Sequence, residues 1–182
     1  MRIIAGQAKG TRLKTPANVT RPTADKVRGA IFSMLQDIIP HSNILDLFAG
    51  TGAMGLEALS RGASQCLFIE SDSQAARILQ DNLTTTKLSS ARIQTTDALT
   101  YLKSTSEHHD LIFADPPYAR NGNTDFASLL LEKPLPLTPE GYLILETESE
   151  RPTPTPDHLR LIKRKDYGGT SVLIFQNTTA SS

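Results

Sequence analysis

An apolar run, Asn43-Ile44-Leu45-Asp46-Leu47-Phe48, passes directly into Ala49-Gly50-Thr51-Gly52-Ala53-Met54-Gly55 and then into an apolar-periodic stretch that stops at Arg61-Gly62. Strand, glycine turn and helix in that order leave few folds open, because this is the opening unit of a parallel, doubly wound α/β sheet. Glycines let the backbone approach a ligand closely, and the free N–H groups at the helix start attract a polar group. Gly62 fits the residue that closes the helix. About twenty positions beyond the loop, the run Cys66 to Ile69 ends in Glu70, where a carboxylate can accept from ribose hydroxyls. The ligand class is therefore nucleotide-like.

The same unit repeats along the chain. Helices are expected near 24–38, after Gly52, near 73–85, at 98–103 and near 125–131. Strands are expected at 44–48, 66–70, 92–95, 111–114 and 142–146, and the last two, 159–165 and 171–176, form a closing antiparallel hairpin through Tyr167-Gly168-Gly169-Thr170. A chain of 182 residues accommodates one such domain. The expected organisation is a basic N-terminal β-hairpin over residues 1–22, followed by a single Rossmann-like domain over 23–182 with a mostly parallel seven-stranded sheet. Ligands of such sheets lie at the carboxyl ends of the strands, where Asp46, Glu70, Asp97 and Asp115 all fall.

Asp115-Pro116-Pro117-Tyr118 follows the apolar strand Leu111 to Ala114. A nitrogen on an aromatic ring or an amide is a poor nucleophile because its lone pair is delocalised. Asp115 and the carbonyl of Pro116 can accept its two N–H bonds while the Tyr118 ring stacks on the base. These charge-assisted bonds strengthen as the nitrogen becomes cationic, which favours the transition state over bound substrate. A Pro-Pro turn with Asp as an ordinary loop residue is the bland reading of the same four residues.

Gly50-x-Gly52-x-x-Gly55 also matches a dinucleotide fingerprint, which makes an NAD-dependent oxidoreductase a rival. Asp46 stands against it, because a carboxylate sits badly beside a pyrophosphate and well beside an ammonium group. S-adenosylmethionine carries an ammonium and no phosphate. Phe48, Ala49, Gly50, Thr51 and Gly52 would form its loop, and Asp97 with Ala98 would meet the adenine. Asp97 also fits the N-cap of the following helix.

Formal net charge is zero, yet residues 1 to 30 hold seven basic residues against Asp25 alone. The asymmetry suggests that Arg2, Lys9, Arg12, Lys14, Arg21, Lys26 and Arg28, with Thr23, meet a polyanion, although a solvated hairpin edge has the same composition. The lone Cys66 lies in an apolar strand pattern and excludes an internal disulfide, and the four histidines have no ligand spacing, so no metal is expected. No apolar stretch is long enough to cross a membrane. A cytoplasmic protein is expected.

Arg2-Ile3-Ile4-Ala5-Gly6, Lys9-Gly10, Leu13, Pro16, Arg21-Pro22-Thr23-Ala24-Asp25-Lys26-Val27-Arg28 and Ala30-Ile31-Phe32 together resemble the bacterial RsmD family, as do Leu45 to Ala58 and Asp115 to Tyr118. The Arg-Pro-Thr block is the specific part, and the resemblance spans essentially the whole chain. It implies a class I, S-adenosylmethionine-dependent methyltransferase that acts as a monomer on the N2 amine of a guanine in 16S ribosomal RNA, in the assembled small subunit. Asp115, Pro116 and Tyr118 would hold the base. Gly29 departs from the family, which usually has Glu there. DNA adenine-N6 methylation, protein-glutamine methylation and a non-catalytic RNA-binding module are the other readings, but the first would need a recognition insertion and the second more usually has Asn at position 115.

Overall fold

The computed structural model describes residues 1–16, 22–118 and 125–179, with side chains in the first helix from residue 25 onward. The elements run α1 (Pro22–Met34), β1 (Asn43–Leu47), α2 (Ala53–Ser60), β2 (Gln65–Glu70), α3 (Ser73–Thr86), β3 (Ala91–Thr95) and α4 (Ala98–Ser104). They continue with β4 (His109–Ala114), α5 (Phe126–Leu131), β5 (Leu137–Glu148), β6 (Leu159–Tyr167) and β7 (Thr170–Asn177). The seven strands form one sheet in the order β3-β2-β1-β4-β5-β7-β6. β3 through β5 are parallel, and β7 lies antiparallel between β5 and β6. This is the Rossmann-like class I methyltransferase fold.

Helices cover both faces of the sheet, which is why the inner strands are apolar without interruption. Ile44, Leu111, Phe113, Ile144 and Ile174 face a core built with Val27, Ile31 and Phe32 of α1, Leu56 of α2 and Leu79 of α3. Leu45, Leu47, Ile112, Leu143, Leu145 and Phe175 face the second core, completed by Tyr101 of α4 and Leu130 of α5. The helices begin as their sequence requires. Asp72, Asp97 and Asp125 each accept from a first-turn N–H, of Gln74, Thr100 and Ser128. The bland role of Asp97 is thus present. Gly55 permits α2 to lie close on β2, since a Cβ there would stand 2.3 Å from the Phe68 ring.

The N-terminal segment reverses on itself as a minimal hairpin, with Ile3 N donating to Thr11 O at 3.0 Å and Leu13 N to Met1 O at 3.1 Å. It makes one isolated antiparallel bridge, Arg2 with Arg12, and its apolar residues Ile3, Ala8 and Leu13 are buried in the first core. Its backbone is clamped to the body. Ile4 N and Ala5 N donate to the two oxygens of Glu57 at 2.7 and 3.0 Å, and Gln7 N donates to the Ser60 carbonyl at 2.8 Å. Asn82 of α3, fully buried, bonds Lys14 N and O and also the carbonyl of Thr51. One side chain therefore joins the N-terminal strap to the glycine loop.

Two boundaries shift. α1 ends at Met34, before the expected Ile38, because the chain turns through Leu35–Ile39 to enter β1, with Ile38 N donating to Leu35 O. β5 starts at Leu137 and takes in the turn-rich Thr138-Pro139-Glu140-Gly141, which pairing of Leu137 with His109 and a register shift accommodate.

Candidate active site

Sheet register assembles the site. Leu47, Ala114 and Leu145 are paired neighbours on β1, β4 and β5. Asp46 precedes the first by one residue, whereas Asp115 and Glu146 follow the other two by one. Side chains alternate along a strand, so all three carboxyls project to the face that carries Ile44, Phe113 and Ile144. They line one recess of about 190 Å³ together with Phe48, Ala49, Gly50, Thr51, Met54 and Met1. A second lobe of about 360 Å³ continues from it, lined by Phe48, Ile69, Glu70, Asp97, Ala98, Asp115, Pro117 and Phe126. Phe48 and Asp115 are common to both lobes. A further cavity of about 290 Å³ lies at the amino ends of the strands, around Ile44, Cys66, Ala91 and Arg92, and carries neither the glycine loop nor Asp115 to Tyr118.

The loop is held by carboxylates. Asp46 Oδ2 accepts from Gly55 N at 2.9 Å, at the first turn of α2. Glu70 accepts from Gly50 N and from Asp72 N, each at 2.7 Å, which ties the end of β2 to the loop and leaves further lone-pair capacity on both oxygens. Gly50 and Gly52 have φ of 55° and 82°, and a Cβ on Gly52 would collide with Leu79 Cδ1 at 2.1 Å. Phe48 also has a positive φ, 61°, which is strained for a bulky residue. That backbone turns its ring toward Phe126, edge to face at 5.4 Å, so the two rings wall the larger lobe.

The electrostatics are one-sided. Among the described residues, no Lys, Arg or His lines either lobe. Burial pushes Asp46 up to about 7, against the opposing effect of the Gly55 N–H, and the charges of Asp115 and Glu70 add to the rise. Asp115 opens onto the cleft, yet the protein around it is dense enough that burial raises its carboxyl too. Glu146 is raised by burial and then by the neighbouring Asp115. Among the described residues, neither Asp115 nor Glu146 makes a hydrogen bond or an ion pair with a donor. A cleft of this kind suits a cationic ligand rich in N–H groups and disfavours a pyrophosphate.

Pro116 and Tyr118 flank the recess from the other side, beside Glu146 and Glu148. Tyr118 Oη and Thr170 Oγ1 are 2.5 Å apart, which tethers the ring to the start of β7. Thr170 in turn pairs with Glu148, two residues beyond Glu146 on the same strand.

The basic residues divide. Arg2, Lys9, Arg12, Lys14 and Lys26 are exposed, with Lys14 in an exposed pair with Asp81. Arg28 is buried, donates to the Arg2 carbonyl at 2.5 Å and pairs with Asp25, so a phosphate cannot reach it while the strap is in place. Arg21 and the side chain of Thr23 lie outside the described residues. On β6, Arg164 is spent on the loop before that strand, bonding the carbonyls of Ser149 and Arg151 and the hydroxyl of Thr153.

The sequence reading missed Glu146 and Phe126. Glu146 had a signal, since it ends the apolar run Tyr142 to Leu145 as Asp46, Glu70 and Asp115 end or follow theirs. Phe126 had none, because its role depends on the unusual φ of Phe48.

The family model described as conserved hypothetical protein 95 matches residues 1–176. Ribosomal RNA small subunit methyltransferase D of Haemophilus influenzae is 38% identical over 97% of this chain and 94% of its own. Its Escherichia coli namesake is 37% identical over 97% of this chain and 89% of its own. The solved structure of the Escherichia coli protein yhhF superposes with a TM-score of 0.85 at 36% identity, covering 98% of each chain. A single family thus accounts for the strap, the sheet and the cleft together, and the chain belongs to it: the conserved hypothetical protein 95, or RsmD, family of methyltransferases.

Proposed function

We propose that this protein transfers a methyl group from S-adenosylmethionine to the exocyclic N2 amine of a guanine in small-subunit ribosomal RNA, within the assembled subunit. The observation that carries the reading is the placement of Asp115 at the junction of the two lobes, without a partner among the described residues, with Pro116 and Tyr118 beside it. The relatives' names, which specify ribosomal RNA of the small subunit, support the substrate class.

The residues present fit the cofactor. Asp46 suits its ammonium, Glu70 its ribose hydroxyls, Asp97 and Ala98 its adenine, and the Phe48 and Phe126 rings the base plane. When bound, it supplies an electrophilic methyl on a sulfonium centre. Asp115 accepts one N–H of the target amine and the Pro116 carbonyl the other, which localises the nitrogen lone pair. Tyr118, tethered through Thr170, stacks on a base turned out of its RNA loop, at a cost of a few kcal/mol. Holding amine and methyl in line supplies a large part of the acceleration. The amine becomes acidic once methylated, and Asp115 takes the proton.

Outside the cleft, Arg2, Lys9, Arg12, Lys14 and Lys26, joined by Arg21, hold phosphates without reading sequence. The enzyme acts as a monomer where ribosomes are made, in the cytoplasm. The test is methyl transfer from labelled cofactor to small subunits that lack the modification, against naked 16S ribosomal RNA, followed by nucleoside analysis. Label in N2-methylguanosine on the subunits supports the reading, and label in N6-methyladenosine or in protein overturns it.

A further inference from the structure

We infer that Glu146 is the residue that makes the site specific for guanine, by accepting the N1–H of the base whose N2 amine Asp115 holds. This rests on the guanine-N2 reading above and adds to it the group that selects the base.

The argument begins with the strand ends. Ala114 pairs with Leu145 in parallel register, so Asp115 and Glu146 are the next residues on adjacent strands and project to the same face. Both line the smaller lobe, and Glu146 also borders the recess that contains Pro116 and Tyr118. Glu146 therefore spans the gap between the amine-holding carboxyl and the stacking ring, where the edge of the base must lie.

The described residues around it supply nothing to satisfy it. Glu146 sits among Met1, Met54, Phe113 and Ile144, and among the described residues it has no hydrogen-bond donor and no cation. Among the described residues, the charged or titratable groups beside it are Asp46 and Asp115 in the smaller lobe and Tyr118, Asp125 and Glu148 in the adjoining recess, with Arg151 at its far side. Arg151 is already committed to both oxygens of Asp125 at 2.7 Å and to Glu148. A half-buried carboxyl left without a donor is unfavourable for the folded chain. A ligand that brings the donor removes that cost.

Guanine and adenine differ at the position next to the amine. On the Watson–Crick edge of guanine, N2–H₂ is followed by N1–H, a donor. On adenine, the N6 amine is followed by N1, a bare acceptor. Two neighbouring carboxylates match donor beside donor and repel donor beside acceptor. Asp115 with Pro116 and Tyr118 can hold any planar amine, and it is Glu146 that rejects adenine. Burial and the neighbouring Asp115 raise Glu146 to about 8, so by itself the carboxyl favours its protonated form, and it is the ionised form, drawn out by the guanine N1–H donor, that discriminates against adenine.

The experiment compares wild type with Glu146→Gln on small subunits that carry either guanine or 2-aminopurine at the nucleotide that wild type labels. 2-Aminopurine keeps the N2 amine and replaces N1–H by an acceptor. Wild type should prefer guanine by about ten- to a hundredfold in kcat/KM, the range of a lost hydrogen bond to a charged group. Glutamine can turn either its oxygen or its NH₂ to the base, so the preference in Glu146→Gln should fall to about threefold or less. S-adenosylhomocysteine affinity, measured by calorimetry, should stay within about twofold of wild type, which also reports that the variant is folded. An unchanged guanine preference in a folded Glu146→Gln overturns the inference. Loss of S-adenosylhomocysteine binding in a variant with wild-type circular dichroism also overturns it, by assigning Glu146 to the cofactor. If wild type places no label on guanine, the guanine-N2 reading fails and this inference with it, an outcome separable from the first two because it needs no variant.

Discussion

Two sets of carboxylates, both close to α2, are treated oppositely by the fold. Glu57 is fully buried and fully engaged. It accepts from Ile4 N and Ala5 N, pairs with Arg61 at 2.7 Å and lies 3.9 Å from Arg28. Asp46, Asp115 and Glu146 share a recess that, among the described residues, has no cation on its walls, and the one donor those residues give them is the Gly55 amide. The first set fastens the N-terminal strap to the body. The second costs stability and is tolerated where a ligand will supply the missing donors, which is how functional sites are distinguished from structural ion pairs.

The largest effect expected of a substitution on stability falls on the structural side. Glu57→Ala removes the acceptor for two backbone amides and strands Arg61, so denaturant unfolding should show a loss of about 3–5 kcal/mol. A loss below about 1 kcal/mol would mean that the strap is held by its apolar residues alone.

Asp46→Asn should act in the other direction. An acid whose folded value is raised keeps a proton that the unfolded chain gives up. The contribution of Asp46 to wild-type stability is therefore greatest below the ordinary aspartate value near 3.8 and is lost as pH rises through about 7. Asparagine still accepts from Gly55 N and has no charge to desolvate, so its stability profile should be flatter across that window and higher at its upper end. Cofactor affinity gives the complementary readout. An ammonium group favours ionised Asp46, so wild-type affinity should rise with pH up to about 7, and the variant should lose both that dependence and about tenfold in affinity.

A smaller effect separates exposed from buried basic residues. Lys9→Ala and Arg12→Ala should each reduce the slope of log affinity against log salt for the ribosomal subunit by about one, with stability unchanged. Arg28→Ala should instead lower stability, because its guanidinium is spent on the Arg2 carbonyl and Asp25. Equal salt slopes for the two exposed variants and wild type would remove the strap from the RNA interface.

The smallest change is expected at Gly29. An added Cβ would meet only Ile4 Cδ1, at 3.8 Å, and the position lies inside α1. Gly29→Ala should raise stability by about 0.5–1 kcal/mol in thermal unfolding, through backbone entropy and helix propensity.

The cleft was largely legible in the sequence because its parts are local. Asp46, Glu70, Asp97 and Asp115 each end or follow a strand, and the glycine loop announces itself through Gly50, Gly52 and Gly55. What escaped depends on pairing between distant segments. Glu146 takes its meaning from the β4–β5 register, and β5 absorbs a turn-rich stretch because Leu137 finds His109 across the sheet. Composition counted Arg28 with the other cations, since a sum of charges cannot tell a buried guanidinium from an exposed one. The hairpin signal around Gly6 and Gly10 corresponds to a short antiparallel reversal, in which Ile3 N donates to Thr11 O and Leu13 N to Met1 O. Burial of Ile3 and Leu13 in the first core, which the sequence pattern did not announce, holds that reversal against the body.

Asp115→Ala tests the central claim most directly, in parallel assays of S-adenosylhomocysteine binding and of methyl transfer to unmodified small subunits. If the unpartnered carboxyls exist to receive the base, the variant should bind cofactor about as wild type does, unfold at an equal or higher temperature, and lose about a hundred- to a thousandfold in kcat. Methylation within about threefold of wild type by a folded, cofactor-binding Asp115→Ala would contradict the account.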